Sequence, residues 1–452
     1  MRVNRLNHAY MISSIAVALL LCIAQVRASN LLILACLGAF TLLMCWSSIQ
    51  NRTLPLLLFF IPWAPLLRFS PSTFSFYTLN LVLICVIGVI KKWRHFKRYH
   101  IVAGILLLFT TLLAKLLDGS RLAMDYICFM MLVFLFPVVA YETKENRYDF
   151  TDVVVYFSAG VILASLCAQQ LATYPNIAKY IRVDSYSSIL RRCGFYGDPN
   201  FFVAQVTAAL SGCLILLLQK KKGRRWFIGG LSILLMYCGF LSGSKSFVLV
   251  VGAMLLIWMV QLMTLRGQSK MKITLIVFAI VAAVYISTSV LFEGLINVIM
   301  LRLSSGTTLD DFTTGRIALW TNYIDELLNN IKVLLLGKGF TNVKVNGRAS
   351  HNTIIQTFFQ FGVVGIPILL GWCYCFFREH LQAYRSVRFE KLKLLILLCG
   401  LGVPWLAIDI LFFDEFFLWQ WFMVVGVQAL MKDSIAAASA QDEPEGEGMA
   451  LQ

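Results

Sequence analysis

Long apolar runs separated by short polar loops recur along most of the chain. A helix of about 20 apolar residues crosses the hydrocarbon core of a bilayer, and most of the runs approach that length. We therefore predict an all-α, polytopic membrane bundle of about 12–14 transmembrane helices. The fourteen candidate spans are approximately 11–26, 31–46, 54–67, 78–90, 101–117, 124–141, 153–173, 201–218, 226–241, 246–264, 273–290, 353–377, 393–411 and 416–430.

The bundle is predicted to occupy residues 1–432, and the acidic, glycine-containing tail 433–452 is predicted to be disordered. The first run leads directly into the second, which favours a spanning helix over a cleaved signal peptide. The third run contains Pro55, Pro62 and Pro65. Proline interrupts helices, so this span is predicted to be kinked or re-entrant.

Composition supports the membrane prediction, since 59% of the 452 residues are hydrophobic and only 14% are charged. A soluble protein carries about 25% charged residues. The net charge of +16 comes partly from basic stretches at 91–98, 220–225 and 378–393. These stretches fall in loops that the even number of spans places on the same side as both termini. The positive-inside rule then predicts cytoplasmic termini, and the basic charge needs no nucleic-acid partner.

The predicted topology leaves two long external loops, at about 174–200 and 292–352. The chain has twelve cysteines, of which eleven lie in or beside apolar runs, where cysteine behaves as a small hydrophobic residue. Only Cys193 falls in a clear loop, so no disulfide framework is predicted.

His351 is the only one of the five histidines that this topology places outside. It closes the longer external loop and precedes a predicted span. A structural interpretation is available, because a polar residue often stands before a helix and Asn352 can cap this one. A histidine at a membrane surface is also a candidate acid or base.

The other external loop contains RRCGFYGDPNFF at 191–202. Asp198 can cap the following span, and Pro199 suits its first turn. Capping does not explain Arg191 and Arg192. Two adjacent guanidinium groups near a helix N-terminus form a candidate site for a phosphate or another anion.

The sequence TTGRIALWTNYIDELLNNI at 313–331 predicts an amphipathic helix on the membrane surface, with Thr314 as its cap and Arg316 in its first turn. A cation there opposes the helix dipole unless an anion lies nearby. The turn LSGSKSF at 241–247 adds Lys245 to the same face. The apolar positions of the predicted helix are Trp320, Ile324, Leu327, Leu328 and Ile331.

Two further patterns carry little information. Asp310 and Asp311 are oxygen ligands suited to a divalent cation, but an acidic pair in a polar loop is usually solvated, so no metal site is predicted. GKGF at 337–340 is too short for a nucleotide-binding loop and is predicted to face outside. No cofactor is predicted.

Four short patterns occur in order between residues 190 and 370. They are R-x-x-G-x-x-G-D-P-N from Arg191 to Asn200, Ser-Lys at 244–245, G-R-x-x-x-W from Gly315 to Trp320, and His351-Asn352 followed after nine residues by G-x-x-G at 362–365. Together they resemble the bacterial O-antigen ligase and polymerase family of polytopic glycosyltransferases. The last pattern is similar to the ligase signature H-[NSQ]-x9-G-x-x-G.

The resemblance implies a glycosyltransferase-C-like bundle in the bacterial cytoplasmic (inner) membrane, with its active site on the external, periplasmic face. The donor would be an undecaprenyl-diphosphate-linked oligosaccharide and the acceptor a glycan or a lipid-linked glycan, with a chain-length regulator as a further partner. By resemblance, Arg191, Arg316 and His351 are the catalytic residues. Lys245 stands where the family usually has arginine, which puts a bidentate contact there in doubt.

Arg192, Lys245, Asn200 and Asn352 are the predicted substrate-binding residues. The first interpretation is a polymerase that joins lipid-linked repeat units. The second is a ligase that transfers the finished glycan to a lipid A core or another acceptor, and the histidine–glycine signature favours it.

A lipid-linked glycan flippase or another transporter is the alternative from a different class. Transporters carry charged groups at mid-membrane and usually an internal repeat. Lys115, Asp125 and Asp409 are the candidate charged groups, but all three are placed near the ends of predicted spans. No repeat is visible. The polar groups concentrate in the external loops instead, which favours the enzyme.

Overall fold

The computed structural model of the chain describes residues 2–121, 135, 137–139, 142, 148–181, 184–186, 189–196, 198–219, 224–264, 315–340, 344–381, 391–408, 422 and 424–431. These residues are mostly helical, and the fold is an all-α bundle. The predicted span 273–290, most of 124–141, about half of 416–430 and the tail 433–452 lie outside the described residues.

Helices and strands are numbered in chain order. The helices before residue 220 are α1 (Arg2–Val26), α2 (Asn30–Ile49), α3 (Thr53–Phe60), α4 (Phe76–Lys92), α5 (Arg98–Asp118), α6 (Phe150–Leu171), α7 (Pro175–Ala178) and α8 (Pro199–Leu218). Those after it are α9 (Arg225–Leu241), α10 (Lys245–Thr264), α11 (Arg316–Asn329), α12 (Ile331–Leu336), α13 (Thr353–Leu381) and α14 (Lys391–Gly402).

Two short antiparallel hairpins complete the described elements. Strand β1 (Asp184–Tyr186) pairs with β2 (Ile189–Arg191), and β3 (Lys344–Val345) pairs with β4 (Arg348–Ala349). Both hairpins lie in the two loops that the sequence predicts to be long.

Seven of the described helices are long and apolar enough to cross a membrane: α1, α2, α5, α6, α8, α10 and α13. Helices α4 and α9 are apolar but shorter, and α14 ends at Gly402, before a 3₁₀ turn that contains Pro404. Each of these helices overlaps a predicted span. Large apolar side chains on the outer helices are exposed, for example Leu31 (78%), Leu42 (74%) and Leu116 (79%). An apolar exterior of this kind suits contact with lipid.

The third predicted span is irregular, as its prolines predict. Helix α3 has only eight residues, and the chain continues as a 3₁₀ turn over Ile61–Trp63 with Pro62 near its start. Proline lacks an N–H group and its ring clashes with the preceding turn, so the α-helix does not continue. The segment nevertheless crosses the bundle, because Gln25, at the end of α1, donates hydrogen bonds to the carbonyl groups of Leu66 and Arg68. The predicted interruption of this span is therefore confirmed.

The two ends of the bundle are called the His8 end and the Gln25 end, after residues near the two ends of α1. Arg192 N donates to Leu241 O at 3.0 Å, which joins the start of α8 to the end of α9 at the Gln25 end. Tyr99, at the start of α5, donates to Glu379, near the end of α13, at 2.8 Å. Since α5 starts at the His8 end, α13 starts at the Gln25 end.

Helix α8 lies at the centre of the bundle. Its apolar window is 89% buried, and it packs against α6, α9, α10 and α14. Close approach to α14 occurs at Gly400, where an added Cβ would lie 2.6 Å from Ser211 Cβ, and Thr207 Oγ1 donates to Gly400 O at 3.0 Å. The central position of α8 fixes the loops at both of its ends.

Helix α13 is interrupted at Gly362, whose backbone has φ +58° and ψ −175°. The interruption frees two helical carbonyl groups. Lys338 N donates to Phe359 O at 2.7 Å, and Gly339 N donates to Gln360 O at 2.9 Å. The GKGF segment thus packs against the break in α13. Its glycines allow this close backbone approach, since a Cβ added at Gly337 would lie 2.3 Å from Gln360 O.

We expect Gly362→Ala to destabilise the protein by about 3 kcal/mol or more, because it adds left-handed strain and steric overlap. An added Cβ would lie 2.5 Å from Leu335 O and 2.6 Å from Gly337 N. Gly371→Ala, in the same helix, is the matched control, since nothing lies within 4 Å of its Cβ position. Thermal unfolding in detergent measures both variants. Equal melting temperatures would contradict the proposed packing of GKGF on α13.

Candidate functional site

The loop before α8 is held against the bundle by its aromatic side chains. Phe195 is buried against Trp63, with ring centroids 5.5 Å apart. Gly194 has φ +61°, and its Cβ position faces the ring of Phe202 at 3.3 Å. The loop therefore has a fixed position at the Gln25 end, with Cys193 buried beneath it.

The predicted cap of α8 is confirmed. Asp198 Oδ1 accepts hydrogen bonds from the backbone N–H groups of Asn200 at 2.8 Å and Phe201 at 3.3 Å, and Pro199 occupies the first turn. The two arginines lie just upstream of this loop. Arg191 ends β2, where it pairs with Asp184, and its side chain is outside the described part of the chain. Arg192 is half-buried and is fixed by its backbone bond to Leu241.

Asn200 joins the first two sequence patterns. Its Oδ1 atom accepts hydrogen bonds from Ser244 Oγ at 3.3 Å and Ser246 Oγ at 3.5 Å. Lys245 lies between these two serines as the first residue of α10 and is half-buried. The bonds of Asn200 therefore hold the segment that carries Lys245 beside the start of α8. Two predicted binding residues that are 45 positions apart in sequence come together here.

The predicted amphipathic helix is confirmed as α11, with one correction at its start. Gly315, in the left-handed conformation at φ +76°, is the N-cap, so the predicted cap at Thr314 is wrong by one residue. Glycine adopts this conformation without the strain that a side chain causes. Arg316 is the first helical residue, as predicted, and it is half-buried.

The apolar positions of α11 divide into two faces. One face packs on the protein: Tyr323 and Leu327 are buried, and Tyr323 lies 4.7 Å from Phe359, centroid to centroid. Trp320 Nε1 donates to Ser350 O at 3.0 Å on the same side. The apolar surface of this helix is therefore covered by protein only in part. The other face is exposed to the surroundings and continues into α12; its members are Ile317, Ile324, Leu328, Ile331 and Leu335.

His351 lies at the corner where the second hairpin meets α13. It is half-buried and has φ +49°, a left-handed conformation that is uncommon outside glycine. Asn352 caps α13, as predicted, because its Oδ1 accepts from Ile354 N at 2.9 Å and Ile355 N at 3.2 Å. Ser350 Oγ accepts from Asn352 N at 3.2 Å. The histidine is thus held between two residues with defined hydrogen bonds.

We expect Asn352→Ala to lower the free energy of unfolding by about 1 kcal/mol, through loss of the cap. Asn352→Ser keeps a capping oxygen and should unfold close to the wild type. Melting temperatures of the two variants in detergent make the comparison. If the alanine and serine variants melt alike, the cap is not what Asn352 contributes to stability.

Arg316 belongs to the face of α11 that points towards His351. Residues 316, 320 and 323 share one helix face by their spacing, and Trp320 bonds to Ser350, the neighbour of His351. Tyr323 OH donates to Arg348 O at 2.8 Å, which fixes α11 on the hairpin before that corner. The third and fourth sequence patterns are thereby joined.

The first two sequence patterns, joined at Asn200, and the last two, joined at Trp320, lie at the same end of the bundle. The 3₁₀ turn Val403–Leu406 contacts α8, α10 and α13, and Thr353 Oγ1 donates to Ile408 O at 2.5 Å. This turn therefore adjoins both the helices that begin near Asn200 and Lys245 and the helix that begins after His351. The described contacts join the pairs through this turn.

The sequence places Lys115 only near the end of a predicted span, and the structure shows that it is buried under a loop segment. Its side chain is only 7% exposed, and the Cβ position of Gly339 lies 3.1 Å from its Cε. The GKGF segment thus covers a lysine at the Gln25 end. A lysine in an apolar run indicates that its side chain is covered, but the covering segment lies more than 200 residues away in sequence.

Asp125, Asp310, Asp311 and Asp409 lie outside the described residues. Within the described ranges, no group of three or more His, Cys, Asp or Glu residues is placed to hold a metal ion.

No family model matches the chain. A search of curated proteins also finds no match.

Proposed function

We propose that the protein is a membrane glycosyltransferase that polymerises O-antigen or capsule-type repeat units carried on undecaprenyl diphosphate. One observation carries the proposal: four short patterns, spread over about 170 residues, assemble in two pairs at one end of an apolar helical bundle. Asn200 links the first pair through Ser244 and Ser246, and Trp320 links the second through Ser350. An apolar bundle with cations and an imidazole at one end suits a substrate that is part lipid and part sugar diphosphate.

In the proposed reaction, an acceptor hydroxyl oxygen attacks the anomeric carbon of the donor sugar. The bond from that carbon to the diphosphate oxygen breaks, and the lipid diphosphate leaves with the bonding electrons. The hydroxyl proton passes to the imidazole of His351 and then to solvent. Because negative charge grows on the leaving group, the guanidinium groups of Arg191 and Arg316 favour the transition state over the bound substrate.

The binding residues divide their tasks. Arg192 and Lys245 add positive charge near the diphosphate. The side-chain oxygen of Asn200 accepts a hydrogen bond from Ser244, and that of Asn352 caps α13. Their amide NH₂ groups are donors with which they contact glycan hydroxyl groups.

The exposed apolar face of α11 and α12 supports a site at the membrane surface. Ile324 is 48% exposed, Leu328 67% and Ile331 62%. Such a face rests at the boundary between headgroups and acyl chains. It would hold the site at the depth where the polar head of a lipid-linked glycan emerges.

The Gln25 end is proposed to face the periplasm, with both termini in the cytoplasm of a bacterial inner-membrane protein. The basic stretch 220–225 connects α8 and α9 at the His8 end, as the positive-inside rule expects for a cytoplasmic side.

A ligase is the second candidate function. It is favoured by the pattern His351-Asn352-x9-Gly362-x-x-Gly365 and shares the donor half of the chemistry. The interruption of α13 at Gly362 gives the first glycine of this pattern a structural reason.

Reconstitution tests the proposal. Purified protein in liposomes is mixed with an undecaprenyl-diphosphate oligosaccharide, without nucleotide, and the products are separated by size. A ladder of repeat lengths is the expected result. Transfer only after a lipid A core is supplied would establish the ligase instead. If neither product forms with several glycans, the transferase proposal is wrong, and movement of the lipid-linked glycan between leaflets becomes the activity to measure.

A further inference from the structure

A cavity of about 660 Å³ lies at the His8 end, remote from the candidate active site. Helix α6 contributes half of its lining residues, and α1 and α9 flank it. The cavity opens onto the outer surface of the bundle, because Phe227 and Leu234 on its wall are 56% and 42% exposed. It is called the α1–α6–α9 groove.

The groove has a polar end and an apolar end. His8, Thr151, Asp152 and Arg224 lie near the starts of α1, α6 and α9, and therefore together at the His8 end. The apolar lining extends to Leu234, ten residues beyond Arg224, which corresponds to about 15 Å along the helix. Its main members are Ile15, Val155, Ala159, Leu163, Leu231 and Leu234. This division matches one acyl chain with a polar head.

Exposed tryptophans mark the depth of the polar end. Trp226, beside Arg224, is 93% exposed, and Trp46 and Trp93, at the ends of α2 and α4, are 59% and 63% exposed. All three lie at the His8 end. Tryptophan prefers the membrane–water interface, where lipid phosphates also lie.

The described mouth of the groove carries a guanidinium group, that of Arg224, and a carboxylate, that of Asp152. Asp152 is already used in a capping box: its Oδ2 accepts from Asp149 N at 3.3 Å, and Asp149 Oδ1 accepts from Asp152 N at 2.8 Å. Arg225 Nη2 donates to Gln219 O at 2.9 Å, back towards α8. Arg224 is exposed at the groove, where its guanidinium group can meet a headgroup phosphate. Basic residues at a membrane surface attract anionic lipids.

We propose that the α1–α6–α9 groove binds an anionic glycerophospholipid, with one acyl chain along α6 and the phosphate against Arg224. The lipid would fill the space between α1 and α9. Helix α9 leads into the turn that carries Lys245, and α6 leads into the loop that carries Arg191 and Arg192. The bound lipid would thus support the helices that position one half of the candidate site. The binding itself does not depend on the proposed reaction.

Native mass spectrometry of the full chain in detergent, titrated with phosphatidylglycerol or phosphatidylcholine, tests the proposal. We expect the wild type to bind phosphatidylglycerol at least about fivefold more tightly, and Arg224→Gln to lose that preference, since one basic residue is worth about fivefold in affinity. Arg94→Gln removes an exposed cation at the same end, away from the groove, and should keep the preference. Ala159→Trp fills the groove and should weaken the binding of both lipids.

Three results would overturn the proposal. One is equal phosphatidylglycerol affinity in the Arg224→Gln and Arg94→Gln variants. Another is the absence of a preference between the two lipids in the wild type. The third is displacement of the lipid by glycerol phosphate alone, which would identify a site for a soluble phosphate ester. Failure of Ala159→Trp to fold would leave the comparison of Arg224→Gln with Arg94→Gln as the deciding one.

Discussion

His351→Ala is expected to abolish formation of the glycan ladder while the protein still inserts and remains folded. General acid–base groups contribute about 10²- to 10⁴-fold to a rate, and this variant lacks the imidazole that takes the acceptor proton in the proposed reaction. His351→Gln, which keeps a polar side chain of similar length, is expected to retain a trace of activity. Initial rates in the liposome assay, with each variant at equal protein concentration, measure the effect.

The backbone of His351 requires its own controls. Its φ of +49° means that alanine could reduce activity through strain alone. His351→Gly removes the imidazole and relieves this strain, so it should be as inactive as His351→Ala. Asn346→Ala places alanine at another left-handed position, φ +51°, in the neighbouring hairpin, and should remain active. Wild-type turnover in both His351→Ala and His351→Gln would make His351 a structural residue.

Arg316→Ala and Arg191→Ala are each expected to reduce transfer by about 10²- to 10³-fold, the effect of removing one donor that stabilises a developing negative charge. For Arg316 the structure adds a reason. It is half-buried on the face of α11 that is bonded, through Trp320, to the residue preceding His351. Arg316→Ala therefore removes a positive charge beside the proposed reacting atoms.

Arg348→Ala is the matched control for Arg316→Ala. Arg348 is an exposed arginine in the adjacent hairpin, where its backbone carbonyl accepts the hydrogen bond from Tyr323 OH. Its loss should leave the rate close to the wild-type value. Melting temperatures show whether either variant is unfolded. An active, folded Arg316→Ala or Arg191→Ala variant would remove that arginine from the proposed site.

Much of the fold was predictable because hydrophobic patterning is local. The bounds of α2, α5, α8 and α10 agree with the predicted spans to within a few residues. The caps at Asp198 and Asn352 were also predictable, since a capping side chain bonds to backbone groups only two or three residues away. The cap of α11 was misplaced by one residue because glycine caps through its backbone, without the side chain that the prediction sought.

The packing of α11 could not be read from its sequence. The sequence identifies the apolar positions of this helix, and the structure divides them between two faces, with Trp320 and Leu327 on one and Ile324, Leu328 and Ile331 on the other. The reason is that the helix has two apolar surroundings: the hairpin and Phe359 on one side, and an exposed surface on the other. Helical periodicity identifies apolar positions without stating which neighbour covers each of them.

By itself, the sequence determined an all-α bundle of apolar helices, the residue types available for chemistry and the order of the four patterns. Only the tertiary structure decided that Asn200 meets Ser244 and Ser246, that Trp320 joins Arg316's helix to the His351 corner, and that GKGF fills the break at Gly362. It also decided that three helix starts enclose a groove at the opposite end. The physical reason is range. Hydropathy and capping act within one helix, whereas these contacts join segments that are tens of residues apart or more, and their partners are selected by packing.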